Sequence, residues 1–95
     1  MLFWHDMAVG TLVFSRRAKE VLDFQEVQDA IERYEHADWG DVPQHIREYN
    51  PQGVVDGGQV VGLYRDRYDQ EFWIITEPKH EYTHIKLADE SWDEK

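Results

Sequence analysis

Ninety-five residues is the length of one small domain, and a chain of this size buries only roughly 60–65 % of the surface that its unfolded form exposes. With 41 % hydrophobic and 14 % aromatic residues the composition excludes an intrinsically disordered chain, and the absence of Cys excludes disulfides, thiolate zinc sites and a Cys nucleophile. Ten Lys and Arg against twenty Asp and Glu leave a formal charge of −10, a field that repels phosphate backbones and anionic headgroups and attracts basic partners, so neither direct nucleic-acid binding nor membrane binding is expected.

No apolar run reaches the ~18–20 residues of a membrane span, and Met1 to Asp6 lacks the basic and long apolar regions of a secretory signal, so a cytoplasmic protein is expected. Residues 1–7 read as an N-terminal extension. Ala8 to Phe14 is rich in residues that suit a pleated, half-buried surface and predicts a first strand. Ser15 offers an N-cap hydroxyl to a short helix over Arg16 to Leu22. Asp23 caps a longer one, in which Phe24, Val27, Ile31 and Tyr34 form an apolar stripe that ends near Ala37. Gly40 and Pro43 punctuate the chain before a third short helix, Gln44 to Tyr49, which Asn50-Pro51 is expected to close.

From Val54 the character changes. Val54-Val55, Val60 to Arg65, Phe72 to Thr76 and Thr83 to Leu87 read as β segments separated by turn residues, and residues 89–95 as an acidic tail. The pattern predicts a single α+β domain: a small antiparallel sheet of three to four strands, covered on one face by two or three helices, in the order β-α-α-(α)-β-β-β.

The most unusual pattern is acidic. Glu20, Asp23, Glu26, Asp29, Glu32, Glu35, Asp38 and Asp41 recur at a strict spacing of three. On an α-helix each such step rises ~4.5 Å and turns back ~60°, which spreads the carboxylates in a slow spiral instead of gathering them into one ion site. Two readings stand. The acids form a solvated outer face that keeps the chain soluble, or they stand in for nucleic-acid phosphates before a basic groove; Trp39 is expected in the core of so small a domain, with an aromatic anchor for that groove as its second reading.

His80-Glu81-Tyr82-Thr83-His84 matches the zinc-hydrolase pattern, in which helical i, i+4 spacing brings two imidazoles to one metal and Glu acts as general base. On a helix, His80 and His84 are metal ligands and the chain is a minimal zinc enzyme. On a strand they stand ~13 Å apart and cannot share an ion. Asp89, Glu90, Asp93 and Glu94 are the acids left as further ligands, none at a recognised spacing. The alternation of Thr83, Ile85 and Leu87 favours the strand, and with it no metal and no cofactor. Ser15 and Ser91 are the only serines, neither in a nucleophile elbow, and Gly57-Gly58 lacks the Lys and the following helix of a phosphate loop. His5, His36 and His45 are scattered. Along Phe72 to Thr76 both faces carry apolar bulk, so the side bearing Trp73 is a candidate homodimer contact.

Asp38-Trp39-Gly40-Asp41-Val42, then Asn50 and Tyr64, then Phe72-Trp73-Ile74-Ile75-Thr76-Glu77 and Thr83-His84-Ile85-Lys86-Leu87, make the chain resemble a family of small plasmid- and phage-borne proteins, often labelled plasmid-related proteins or, loosely, type I restriction enzyme M subunits. The resemblance spans roughly Gly10 to Asp89. It departs at Pro78-Lys79-His80-Glu81, where the family has a short Asp-Arg turn, and at Leu87-Ala88-Asp89-Glu90, where it has a Leu-Pro-Glu-Glu-Tyr-like segment. It implies a mobile-element setting. Together with the charge and the absence of a catalytic set, that setting predicts a non-enzymatic acidic protein that binds and blocks a basic, nucleic-acid-handling host protein or defence complex, of anti-CRISPR or anti-restriction type. Its contact residues would be Glu26, Asp29, Glu32, Glu35, Asp38, Trp39 and Asp41.

Overall fold

The computed structural model of the chain describes residues 9–90, so the expected extension over residues 1–7 and most of the expected tail, residues 91–95, lie outside the described residues. Eight elements follow one another: β1 (Thr11–Phe14), α1 (Arg16–Val21), α2 (Phe24–Glu35), α3 (Gln44–Asp56), β2 (Val60–Arg65), β3 (Glu71–Thr76), a single 3-10 turn (Pro78–His80) and β4 (Tyr82–Leu87). The fold is α+β, with three helices and one four-stranded sheet in the order β1-β4-β3-β2.

The helix starts follow the local chemistry. Ser15 caps α1, its hydroxyl accepting from Ala18 N–H at 3.1 Å, and Asp23 caps α2, its carboxylate accepting from Gln25 N–H at 2.8 Å. The end of α2 is a Schellman turn built without glycine. Asp38 N–H reaches Arg33 C=O at 2.9 Å and Ala37 N–H reaches Tyr34 C=O at 3.1 Å, with Ala37 held in the left-handed region at φ 69°.

β2, β3 and β4 form the expected antiparallel meander, with Gly62 opposite Ile74 and Ile74 opposite Ile85. The sheet is mixed, however, because β1 joins the outer side of β4 in parallel, Thr11 beside Tyr82 and Phe14 beside Ile85. After β1 the chain passes through all three helices and enters the sheet at the far edge. The meander then returns, so that β4 arrives alongside β1 running the same way.

Two further expectations are corrected at α3. The helix does not close at Asn50-Pro51 but continues to Asp56 with Pro51 inside it, and Val54-Val55 is helical rather than a strand. Proline forfeits one intrahelical donor and restricts the residue before it, but tertiary contacts outweigh that local preference. Asn50 is fully buried, its amide locked onto the backbone of Val61, and Val54 packs against the core while Val55 is 75 % exposed. The helix ends one turn later, at Gly57, whose φ of 80° suits a left-handed C-cap.

The main core layer lies between the helices and one sheet face, while Val61 and Ile75, which alternate onto the other face, are buried as well. Ala18, Val27, Ala30 and Tyr34 from α1 and α2 meet Val60, Tyr64, Phe72, Ile74, Ile85 and Leu87. Gly62 is what lets the layers close: a Cβ there would stand 2.7 Å from the Tyr64 ring and 2.9 Å from Tyr34. Inside this layer the Tyr34 hydroxyl donates to Val60 C=O at 2.8 Å and lies 2.6 Å from the Thr76 hydroxyl. Thr76 in turn lies 2.8 Å from the Thr83 hydroxyl, which donates to Val9 C=O at 2.6 Å. Residues 88–90 are tied down as well, since Glu90 accepts from Ser15 Oγ and from Leu87 N–H, both at 2.8 Å, and Asp89 pairs with Arg17 at 2.9 Å. Among the described residues no helix is long and apolar enough to cross a membrane.

Candidate functional site

The eight acids at a spacing of three do not lie on one rod. Glu20 belongs to α1, Asp23 is the cap of α2, Glu26, Asp29, Glu32 and Glu35 lie on α2, and Asp38 and Asp41 lie in the loop that follows. Only the four on α2 keep the axial step of ~4.5 Å. Their stripe faces away from the core, because Val27, Ala30 and Tyr34 take the buried side.

Arginines divide the row. Arg67, from the turn between β2 and β3, donates to Glu26 Oε2 at 2.8 Å and stands 3.8 Å from Asp23. At the other end Arg33 grips Asp38 with two bonds, Nε to Oδ2 at 2.8 Å and Nη2 to Oδ1 at 3.2 Å, while lying over the Tyr64 ring at 5.1 Å. The hydrogen bond from Arg33 holds the Asp38 carboxyl below the usual carboxylate range, a shift that burial opposes and Gly40 N–H supports. Between these two clusters, Glu32 and Glu35 make no side-chain hydrogen bond or ion pair among the described residues, and Asp29 takes only a neutral bond from Gln25 at 3.2 Å. Asp41 is exposed in the loop and its N–H donates to Leu63 C=O at 2.8 Å.

Trp39 is not available as an aromatic anchor. It is only 6 % exposed and belongs to the core, with its C=O accepting from Leu63 N–H at 3.0 Å. The next residue, Gly40, makes a one-residue parallel bridge to Leu63 and draws the Asp38–Asp41 loop against the outer edge of β2. The exposed aromatics near the acids are instead Phe24, 63 % exposed at the start of α2, and Tyr68, 67 % exposed beside Arg67.

The zinc pattern is taken apart by the fold. His80 ends the 3-10 turn with φ 57° and donates its Nε2–H to Gly58 C=O at 2.9 Å, whereas His84 sits within strand β4, its ring bonded to Glu77. Helical i, i+4 spacing does not exist there, and Glu81 lies exposed between the two elements. Among the described residues no group of three or more His, Asp or Glu is placed to hold a metal ion; Asp93 and Glu94 lie outside them. An open cleft lined by Arg17, Arg65, Asp69, Glu71 and Asp89 already has its charges paired, Arg17 with Asp89 and Arg65 with Glu71 and Asp69. Trp73 is half-buried and lies opposite Lys86 across the β3–β4 ladder.

Sequence reasoning missed the arginines that neutralise the ends of the acidic row, because their partners are distant in the chain: Arg67 lies 41 residues from Glu26. The Arg33–Asp38 pair had a local signal, a helix end five residues before an acid, and the left-handed turn at Ala37 completes it. Comparison with protein-family models, with curated proteins and with solved structures finds no match.

Proposed function

We propose that this chain is a non-enzymatic acidic interaction protein of a mobile element. It acts in the cytoplasm, where it binds a basic, nucleic-acid-handling host protein or defence complex and blocks it in the manner of an anti-CRISPR or anti-restriction protein. The observation that supports this reading is the unneutralised middle of α2. Asp29, Glu32 and Glu35 project from one rigid helix without a cationic partner among the described residues, while the acids at either end are engaged by Arg67 and Arg33. Carboxylates at ~4.5 Å axial steps on a rod offer a basic groove the repeated negative charge that it meets along a nucleic-acid strand. Asp41 extends that surface, and Glu26 and Asp38 contribute less because each already shares its charge with an arginine.

The test is the triple reversal Asp29→Lys, Glu32→Lys, Glu35→Lys. Tagged wild-type protein is used to capture partners from lysate of a defence-competent bacterium, with elution by rising salt. Wild type is expected to retain a basic nucleic-acid-binding protein that leaves steeply as salt increases, and the triple variant to retain none of it. Capture of the same protein by the triple variant, at equal salt resistance, would sink the proposal for this face.

A further inference from the structure

The two edges of the sheet are treated in opposite ways. At the β2 edge every outward backbone group from Val61 to Leu63 is occupied by the chain itself. Asn50 Nδ2 donates to Val61 C=O at 2.8 Å, and Val61 N–H donates to Asn50 Oδ1 at 3.1 Å. Leu63 N–H donates to Trp39 C=O at 3.0 Å, and Leu63 C=O accepts from Asp41 N–H at 2.8 Å. At the β1 edge nothing comparable happens among the described residues. Thr11 N–H goes to Glu81 C=O at 2.9 Å and Ser15 N–H to Ile85 C=O at 3.0 Å, so the parallel ladder takes Thr11, Val13 and Ser15 and turns the N–H and C=O groups of Leu12 and Phe14 outward. Among the described residues no strand or side chain meets them.

β1 is short, but it carries none of the chemical devices that protect such an edge: Thr-Leu-Val-Phe contains no charge and no proline, and its register with β4 runs without a bulge. Leu12 is 37 % exposed.

We propose that β1 is a self-pairing edge through which a second copy of this chain joins, antiparallel and centred on Val13, to make one continuous eight-stranded sheet. A two-fold axis normal to the sheet sets Leu12 opposite the partner's Phe14 and Phe14 opposite the partner's Leu12. The outward donors and acceptors on each copy then match those on the other with none left over. The same register lays the partner's Phe14 beside the exposed Leu12 on the helix-bearing face, and Val13 beside the partner's Val13 on the other. An unlike strand would satisfy the hydrogen bonds equally well but has no such register built into it.

Strands of four residues make a small contact and two chains of charge −10 repel, so the dimer is weak and salt strengthens it. Sedimentation equilibrium of the full chain over a wide concentration series, at about 50 and about 500 mM salt, reads this directly. A reversible monomer–dimer equilibrium is expected, tighter at the higher salt. Leu12→Lys should weaken it by about tenfold or more, although the added positive charge relieves the net repulsion, because an edge lysine obstructs pairing. Val55→Lys, an equal change of charge on the exposed side of α3, should not weaken it. Amide exchange at Leu12 and Phe14 should slow with concentration in the wild type, which tests the same edge without any substitution. A monomer across the whole series overturns the proposal, as does a dimer that Leu12→Lys leaves intact or one whose Leu12 and Phe14 amides exchange at a rate independent of concentration.

Discussion

The hydroxyls of Tyr34, Thr76 and Thr83 carry three hydrogens and take part in four contacts. Tyr34 and Thr83 each commit a hydrogen to a backbone carbonyl, so the single Thr76 hydrogen serves Tyr34 and Thr83 in turn. The residues are therefore unequal. Tyr34→Phe deletes the hydrogen bond to Val60 C=O and the contact with Thr76 and is expected to destabilise by about 1–3 kcal/mol, whereas Thr76→Val leaves both carbonyl bonds standing and should cost about 1 kcal/mol or less in urea unfolding. The reverse ranking would show that Thr76, not Tyr34, organises the cluster. Tyrosine burial also sets the alkaline limit: Tyr34 and Tyr64 are 1 % and 2 % exposed, and burial holds both phenols above the ordinary tyrosine range. A raised phenol keeps its proton in the folded state while the unfolded chain loses it above about pH 10, so this stability is fully present below pH 10 and falls as pH rises. Each buried tyrosine contributes a slope of up to about 1.4 kcal/mol per pH unit. Measured between about pH 10 and 11.5, the fall should be steeper in wild type than in Tyr34→Phe; equal slopes would refute the assignment.

At the scale of elements, α3 exposes where local reading ends. Asn50-Pro51 is a stop signal by every short-range rule, and Val54-Val55 reads as a strand, yet the helix runs through both. The reason lies 11 residues away, at the β2 edge, which the Asn50 amide closes as a neighbouring strand would. Asn50→Ala leaves a buried N–H and a buried C=O without partners and is expected to cost about 2–4 kcal/mol, read as a fall in the urea midpoint. A loss below about 1 kcal/mol would mean that water or a shifted α3 replaces the amide. The caps at Ser15 and Asp23, the stripe of α2 and the β2–β4 meander were legible because period and cap chemistry are written within a few residues. The parallel seat of β1 and the pairing of Glu26 with Arg67 were not, since each is decided by an element distant in the chain. Ala37 shows the boundary between the two cases: the end of α2 was legible but its left-handed geometry was not, because alanine rather than glycine occupies it. Ala37→Gly should accordingly stabilise the fold by about 0.5–1 kcal/mol in thermal unfolding; a neutral or destabilising result would mean that the methyl packing of Ala37 outweighs its strain.

For the molecule as a whole, the charge of −10 works in two directions on stability. Salt weakens the exposed pairs Arg17–Asp89, Arg33–Asp38 and Arg67–Glu26, but such pairs are each worth about 0–1 kcal/mol, and it also screens the repulsion among the unpaired acids. Repulsion should dominate, because acids outnumber bases two to one and the middle of α2 has no counter-ion among the described residues. Raising salt from about 10 to about 100 mM shortens the screening length from ~30 to ~10 Å and is expected to raise the melting temperature by about 4 °C or more. The reversal of Asp29, Glu32 and Glu35 changes the sign of three charges in that middle, so its melting temperature should exceed that of wild type at low salt and converge with it at high salt. This ordering separates the roles of the acidic face. A face kept only for solubility predicts that the reversed protein keeps its partners. A face used for binding predicts a protein that melts at a higher temperature at low salt and yet binds nothing basic, a combination that loss of folding cannot produce. A reversed protein that melts lower than wild type at low salt would show that the α2 acids stabilise the helix locally more than they repel one another.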